Sequence, residues 1–395
     1  MGSGGDEASF ADVTAWMLAE GRFSLTLEDL LAGVLARVVE AGLPLLRCGL
    51  HINVLHPQLV AVSLHWWEGG EVQRVERPRY AGWQLAGYGD SPLAVVNRDG
   101  VPLRRCLAGP GAERDFPILA DLASGGGTDY FVQPLHFADR SVGACISWCT
   151  GRPGGFREDE IRGLEAVAHV LATLCEMRVL RGLARIILDT YIGRTAGERV
   201  LAGTIERGSG ELLHAVVWYC DLRGFTQRAE AEPPAVVIGL LNAWFERMAG
   251  AVQNNGGDVL KFIGDGMLAI FPIGADESPA RACRAAVAAA RQAGTAMATL
   301  DEDVRAEGGA PVAYGVALHV GEVTYGNIGA PDRLDFTVIG PAVNQAARVE
   351  GLCRALGRSV LATSAVAAYV PDDVEPLGRF MLRGIDDAQE IWGVL

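Results

Sequence analysis

Two aspartates, a lysine, an asparagine and an arginine stand at the ends of short apolar runs in the second half of the chain. Asp221 closes the apolar run His214–Cys220 and is followed by Leu222, Arg223 and Gly224. Asp265 lies between Gly264 and Gly266, with Val259–Ile263 before it and Met267–Phe271 after it. Apolar arms around Gly-Asp-Gly read as a hairpin with the aspartate at its tip. Two carboxylates on strand ends can share hard, oxygen-seeking cations. A pair of such ions about 3.5–4 Å apart holds both the attacking and the leaving oxygen of a phosphoryl displacement. Lys261 precedes the second aspartate by four residues. Further on, Pro341 follows Gly340, and proline favours the first turn of a helix. Asn344 and Arg348 then fall at i and i+4 on one helical face. Such a pair can hydrogen-bond a sugar and a transferring phosphoryl group. Thr337 ends a strand seven residues before Asn344.

These residues need a scaffold of alternating elements, and the pattern supplies one. It predicts a strand over 214–220, a helix over 233–254, a hairpin over 258–272 and an alanine-rich helix over 279–304. A strand over 311–320 follows, then a hairpin turning at Ala330-Pro331-Asp332, a helix over 341–356, a strand over 358–362 and a last hairpin in MLRGIDDAQEIWGVL. This is an α+β arrangement, with helices on a mainly antiparallel sheet. The first half differs. Helical periodicity over 10–42 gives way to β-branched and aromatic strands from Leu46, then a polar, loop-rich middle, then a strand pair joined by Ala138-Asp139-Arg140-Ser141. Trp66, Trp67, Trp83 and Tyr88 suit either core packing or a ligand pocket, and His51, His56 and His65 read as core or edge histidines. Residues 157–188 form a long amphipathic helix, with Leu164, Val167, Leu171 and Leu174 continued, after a slip in phase, by Met177, Leu180, Leu183 and Ile187. A two-chain signalling helix and a helix packed on its own domain both carry this stripe. A glycine-rich stretch then breaks the helix.

Bulk composition narrows the function classes. At 395 residues two domains are expected. The net charge of −14 and the lack of a Lys/Arg cluster argue against nucleic acid or an anionic membrane surface as partner. A nucleotide carried by a cation remains compatible, because the ion reverses the local field. The 8 cysteines form no CxxC pair and read as reduced structural thiols of a cytoplasmic protein. The start, MGSGGDEASF, has neither a basic nor an apolar region, so no secretory leader is expected. No apolar run is expected to span a bilayer.

The stretches YCDLRGFT, KFIGDGMLAIF and FTVIGPAVNQAARVE together resemble the class III nucleotidyl cyclases, and the resemblance covers about residues 190–395. It implies a ferredoxin-like βαββαβ core and conversion of a nucleoside triphosphate to its 3′,5′-cyclic monophosphate and pyrophosphate. By the same resemblance Asp221, Asp265 and the Leu222 carbonyl hold two Mg²⁺ or Mn²⁺ ions. Lys261 and Thr337 read the purine, Asn344 positions the ribose, Arg348 stabilises the transition state, and Arg383 contacts the triphosphate. Thr337 stands where many adenylyl cyclases carry Asp, which resembles the bicarbonate-responsive subgroup; with Lys261 it favours ATP. The resemblance also implies a homodimer whose sites take the aspartates from one subunit and the remaining groups from the other. GTP or a pyrimidine triphosphate as substrate, or a non-catalytic sensor built on the same fold, are the alternatives. The segment PLHFADRSVGACISWCTGRPGGFREDEIRGLEAVAHVLA resembles the end of a GAF-like sensory domain with an unidentified small-molecule ligand. The expected organisation is a GAF-like regulatory domain over 1–155, a signalling helix over 156–192, a transmission segment over 193–212 and the catalytic domain over 213–395.

Overall fold

The structure is a computed structural model that describes residues 9–79, 89–139, 142–274 and 277–395. Trp83, Tyr88 and half of the expected 138–141 turn lie outside the described residues. The chain divides into two compact units, Met1–Ile186 and Ile187–Leu395.

In the first unit, Ser9 and Thr26 each cap a helix through reciprocal bonds with an aspartate three residues on, fixing the starts of α1 (Phe10–Ala19) and α2 (Leu27–Glu40). Strands β1 (Arg47–Asn53), β2 (Leu59–Trp67) and β3 (Gln73–Pro78) follow. The middle, expected as loops, holds α3 (Pro92–Asp99), β4 (Leu103–Cys106) and α4 (Pro117–Ser124), each too short to show a periodicity. Strands β5 (Asp129–Pro134) and β6 (Ala144–Thr150) complete a six-stranded antiparallel sheet in the order β3-β2-β1-β6-β5-β4. One sheet face, with Leu50, Ile146 and Trp148, packs on α1, α2 and the start of α5 (Glu158–Ile192). On the other face His51 is half-buried and shares a hydrogen bond with Ser63. Trp66 packs against the core, while Trp67 is half exposed beneath the Arg47 guanidinium.

The expected stripe on α5 splits into two parts. Leu164, Val167, Leu171 and Leu174 are buried within their own unit, whereas Met177, Leu180 and Ile187 are exposed, as is Tyr191.

The second unit takes in the last residues of α5 and then α6 (Arg194–Leu201), a short helix inside the stretch expected as a glycine-rich breaker. Gly193, at φ 88°, makes the break itself. There follow β7 (Gly210–Leu222), α7 (Phe225–Ala231), α8 (Pro234–Asn254), β8 (Asp258–Ile263), β9 (Gly266–Ile273), α9 (Pro279–Ala306), β10 (Tyr314–Ala330), β11 (Arg333–Ile339), α10 (Pro341–Glu350), β12 (Val360–Thr363), α11 (Ser364–Ala367), β13 (Val374–Phe380) and β14 (Gln389–Val394). The sheet runs β13-β14-β12-β10-β7-β9-β8, with β11 paired to β10. Its centre, β10-β7-β9-β8, is antiparallel throughout, and with α8 and α9 it gives the βαββαβ order. Residues alternate along β7. Val216, Trp218 and Cys220 bury against α8 and α9, and Ala215 and Val217 face the cluster containing α6, β11 and α10 residues.

Three expectations are corrected. Helix α10 ends at Glu350, and turns fill the rest of the predicted 341–356 span. The arms of the last hairpin are β13 and β14, so MLRGIDDA is its connecting loop. Helix α8 is long and apolar enough to cross a bilayer by length and composition. In this fold Val237, Leu240, Trp244, Met248, Ala251 and Val252 along it are buried in the core of the unit, while Val236 and Ile238 are exposed.

Candidate active site

Asp221 sits in the last turn of the pleat of β7, opposite Gly315 of β10. Asp265 occupies a two-residue turn, since Ile263 pairs with Gly266 across the hairpin. Gly264 there adopts φ 63°, the left-handed conformation that such a turn requires. Gly266 is needed for a different reason. A Cβ at that position would lie 2.9 Å from the Cys220 carbonyl oxygen and 3.2 Å from Asp221 Oδ1. The Trp244 indole N–H donates to the Asp265 carbonyl at 2.9 Å and ties the turn to α8. The two carboxylates therefore lie within hydrogen-bond reach of each other. Burial, and then the charge and hydrogen bond of Asp265, push the Asp221 carboxyl up to about 6. Two half-buried carboxylates held in mutual repulsion are what a divalent cation would relieve, so this donor set fits such an ion. Among the described residues no group of three or more His, Cys, Asp or Glu is gathered to hold a metal. Phosphate oxygens, water and backbone would have to complete the shell, as is usual for Mg²⁺. The Leu222 side chain is buried in the core, leaving only its backbone to face the site.

A third carboxylate, Glu350, was not expected. Its Oε1 lies so close to Gly315 that a Cβ there would collide with it, and Gly315 is the cross-strand partner of Asp221. Burial and the charge of Asp221 push Glu350 up to about 7, with Arg223 acting in the opposite sense. Helical geometry gives the signal that could have found it. Glu350 is two residues from Arg348, about 200° around the helix, so the two side chains leave opposite faces.

Lys261 on β8 forms an ion pair with Asp335 of β11, Nζ to Oδ2 3.3 Å. Thr337, two residues further along β11, points to the same side as Asp335. Phe336 and Val338 point the other way into the core, where Phe336 meets Tyr325 edge-on at 4.8 Å. Thr337 is buried, and its hydroxyl has no hydrogen-bond partner.

Helix α10 buries Ala342, Ala346 and Val349 and leaves Asn344 and Arg348 exposed. Arg348 Nη1 approaches the Gly384 carbonyl at 3.4 Å, beside the exposed Arg383. The expected residues thus form three groups: Asp221 with Asp265, Lys261 on the side of Thr337, and Arg348 near Arg383. Among the described residues no hydrogen bond or ion pair joins the carboxylate pair to Lys261, Asn344 or Arg348.

Residues 212–391 match the model of the adenylate and guanylate cyclase catalytic domain family. An adenylate cyclase of Anabaena cylindrica is 28% identical over 249 residues, covering 60% of this chain and 47% of the relative. Adenylate cyclase 1 of Rhizobium meliloti is 30% identical over 181 residues, covering 45% of this chain and 27% of the relative. The matches span less than half the length of these curated relatives. The crystal structure of the adenylyl cyclase CyaB from P. aeruginosa is 26% identical, covers 47% of this chain and 96% of that one, and superposes with a TM-score of 0.44. Over residues 212–391 the chain is thus similar to the adenylate and guanylate cyclase catalytic domain family.

Proposed function

We propose that the chain is an adenylyl cyclase that converts ATP to 3′,5′-cyclic AMP and pyrophosphate. The observation that carries this reading is the Asp221–Asp265 pair, built by a glycine turn onto adjacent strands, in the same unit as the exposed Asn344–Arg348 face. Asp221, Asp265 and the Leu222 backbone would hold Mg²⁺ or Mn²⁺, two ions per site, which when bound lower the pKa of the ribose 3′-hydroxyl and neutralise the triphosphate. The chain's own residues do the rest. Asn344 orients the ribose so that its 3′-oxygen faces the α-phosphorus. Arg348 stabilises the charge that develops on the α-phosphate oxygens as the 3′-oxygen attacks and pyrophosphate leaves. Arg383 contacts the triphosphate. Lys261 donates to the base, and the unpaired Thr337 hydroxyl offers it a neutral donor and acceptor.

On α10 Asn344 and Arg348 are exposed on the face away from Glu350, which borders the strand position of Asp221, and this supports a homodimer in which each site draws on both subunits. The exposed apolar residues Met177, Leu180, Ile187 and Tyr191 on α5 support a signalling helix that pairs with its copy. The six-stranded antiparallel sheet, with α1, α2 and α5 on one face and α3 and α4 on the other, supports a GAF-like regulatory domain, whose small-molecule ligand would set the activity. Bicarbonate responsiveness rests on Thr337 alone, and a cytoplasmic location on the eight unpaired thiols. The test is product analysis of the purified chain with ATP, GTP, CTP or UTP and either metal. Cyclic AMP as the main product is expected. Cyclic GMP or a cyclic pyrimidine nucleotide as the main product rejects the ATP reading, and no metal-dependent turnover with any triphosphate rejects the cyclase reading.

A further inference from the structure

We propose that Asp335 is a positioning residue for base recognition, holding the Lys261 ammonium at the site where Thr337 brings no charge. The inference rests on the proposed cyclase reading and extends it to a residue outside the expected set.

Lysine is a poor reader of a base by itself. Its ammonium sits on a four-carbon stem with many rotamers and three freely turning donors. A fixed acceptor is needed to hold it in one place, and Thr337, a neutral hydroxyl buried within its own strand, is a weak anchor for a cation. Asp335 supplies that anchor. Its Oδ2 lies 3.3 Å from Lys261 Nζ, and among the described residues it is the only hydrogen-bond partner of that ammonium. One carboxylate occupies one of the three N–H donors and leaves two for a ligand.

The anchor is itself fixed. Asp335 pairs with Ile328 of β10, and Thr337 pairs with Gly326, in a continuous antiparallel register. Phe336 between them is buried and packs edge-on against Tyr325. Strand geometry sets Asp335 and Thr337 about 7 Å apart on one side of β11. The Lys261 ammonium is thereby held on the side of the strand where the unpaired Thr337 hydroxyl also waits for a partner. Together they offer a purine edge a cationic donor and a neutral hydroxyl. The carboxylate behind the lysine is engaged, so it is less free to accept from the N1–H and amino groups of a guanine.

The pair adds little to folding. Asp335 is 68% exposed, and exposed ion pairs contribute on the order of 1 kcal/mol or less. Its consequence should therefore appear in nucleotide selection. Were Asp335 a competitor that withdraws Lys261 from the base, removing it would tighten ATP binding; positioning predicts the reverse.

The experiment uses the full chain with Asp335→Asn, Asp335→Glu, Lys261→Ala and the Lys261→Ala/Asp335→Asn double variant, reading kcat and KM for ATP and GTP separately. Asp335→Asn should raise KM for ATP by about tenfold, the size of one charge-assisted hydrogen bond. It should change kcat less, and it should lower the ATP-to-GTP ratio of kcat/KM. Asp335→Glu should recover part of the loss. In the Lys261→Ala background Asp335→Asn should have no further effect. An unchanged or lowered KM for ATP, an unchanged ATP-to-GTP ratio, or an equal effect in the Lys261→Ala background overturns the proposal while leaving the cyclase reading intact. A wild-type chain that turns over neither nucleotide overturns both. Thermal melting of each variant, expected to match wild type, keeps loss of fold apart from loss of recognition.

Discussion

Replacing a residue of the candidate metal site should make the ion-free protein more stable. Asp221 carries a carboxyl pushed from an ordinary 3.8 to about 6 by burial and by Asp265. A shift of about 2 units corresponds to roughly 3 kcal/mol. The side chain is only half buried, so solvent screening reduces this to roughly 1–2 kcal/mol. Because the folded pKa is raised, the unfolded chain gives up its proton first as pH rises. The penalty is therefore absent below about pH 3.8, grows between about 4 and 6, and is complete above about 6. Asp221→Asn removes the buried charge while keeping the shape. At pH 8 in chelator it should raise the melting temperature by about 2–8 °C, at roughly 2–4 °C per kcal/mol for a unit of this size. The advantage should shrink as pH falls through 6 toward 4. Adding millimolar Mn²⁺ should stabilise the wild type through binding to the folded state and leave the variant nearly unmoved. Calorimetry or fluorescence melting across pH, with and without the ion, measures all of this. A variant less stable than wild type at pH 8 in chelator would show that the carboxylate is held by favourable contacts, and the repulsion argument would be wrong.

Other consequences follow from the same geometry. Asp265→Ala and Arg348→Ala should each lose activity, by about 10²–10³-fold for the arginine. An equal mixture of the two variants should return about a quarter of wild-type turnover, since half the dimers are mixed and each holds one complete site; no recovery in a mixture shown to exchange subunits refutes the shared site. Gly266→Ala should cost about 1–3 kcal/mol, because its methyl group would press on the Cys220 carbonyl oxygen and on Asp221, and chemical denaturation would register the loss. Burial lowers His319 to about 4, with its Nδ1 2.9 Å from the Thr363 hydroxyl. The folded state resists protonation there while the unfolded chain protonates near 6.5. Wild type should accordingly lose stability relative to His319→Gln as pH falls from about 6.5 to 4, and parallel melting curves of the two proteins across that window would refute it.

The elements around the candidate site were legible because they obey simple periodicities. The hairpin carrying Asp265 declares itself by apolar arms and Gly-Asp-Gly, and α10 by Gly340-Pro341 and its buried Ala342, Ala346 and Val349. What stayed hidden depends on long-range pairing. Asp335 looks like a surface charge until β11 is laid on β10 and its side chain meets a lysine 74 positions away. Helices α3, α4 and α6 are 8 residues each and sit among glycines and polar residues, so no window long enough to show a 3.6-residue repeat exists. On α5 the apolar stripe slips in phase after Leu174, and its first half is consumed by the core of the first unit. Only packing separates the two uses of the same pattern.

Glu350 sharpens the relation between the two groups of site residues. It leaves α10 on the face opposite Arg348 and lies against Gly315, beside the strand position of Asp221. One rigid helix of 10 residues therefore carries Asn344 and Arg348 outward on one face and touches the carboxylate strand with the other. The absence of a side chain at Gly315 is what lets the Glu350 carboxylate approach that strand. In a dimer whose sites are shared, the outward face serves the partner's carboxylates while Glu350 borders those of its own chain.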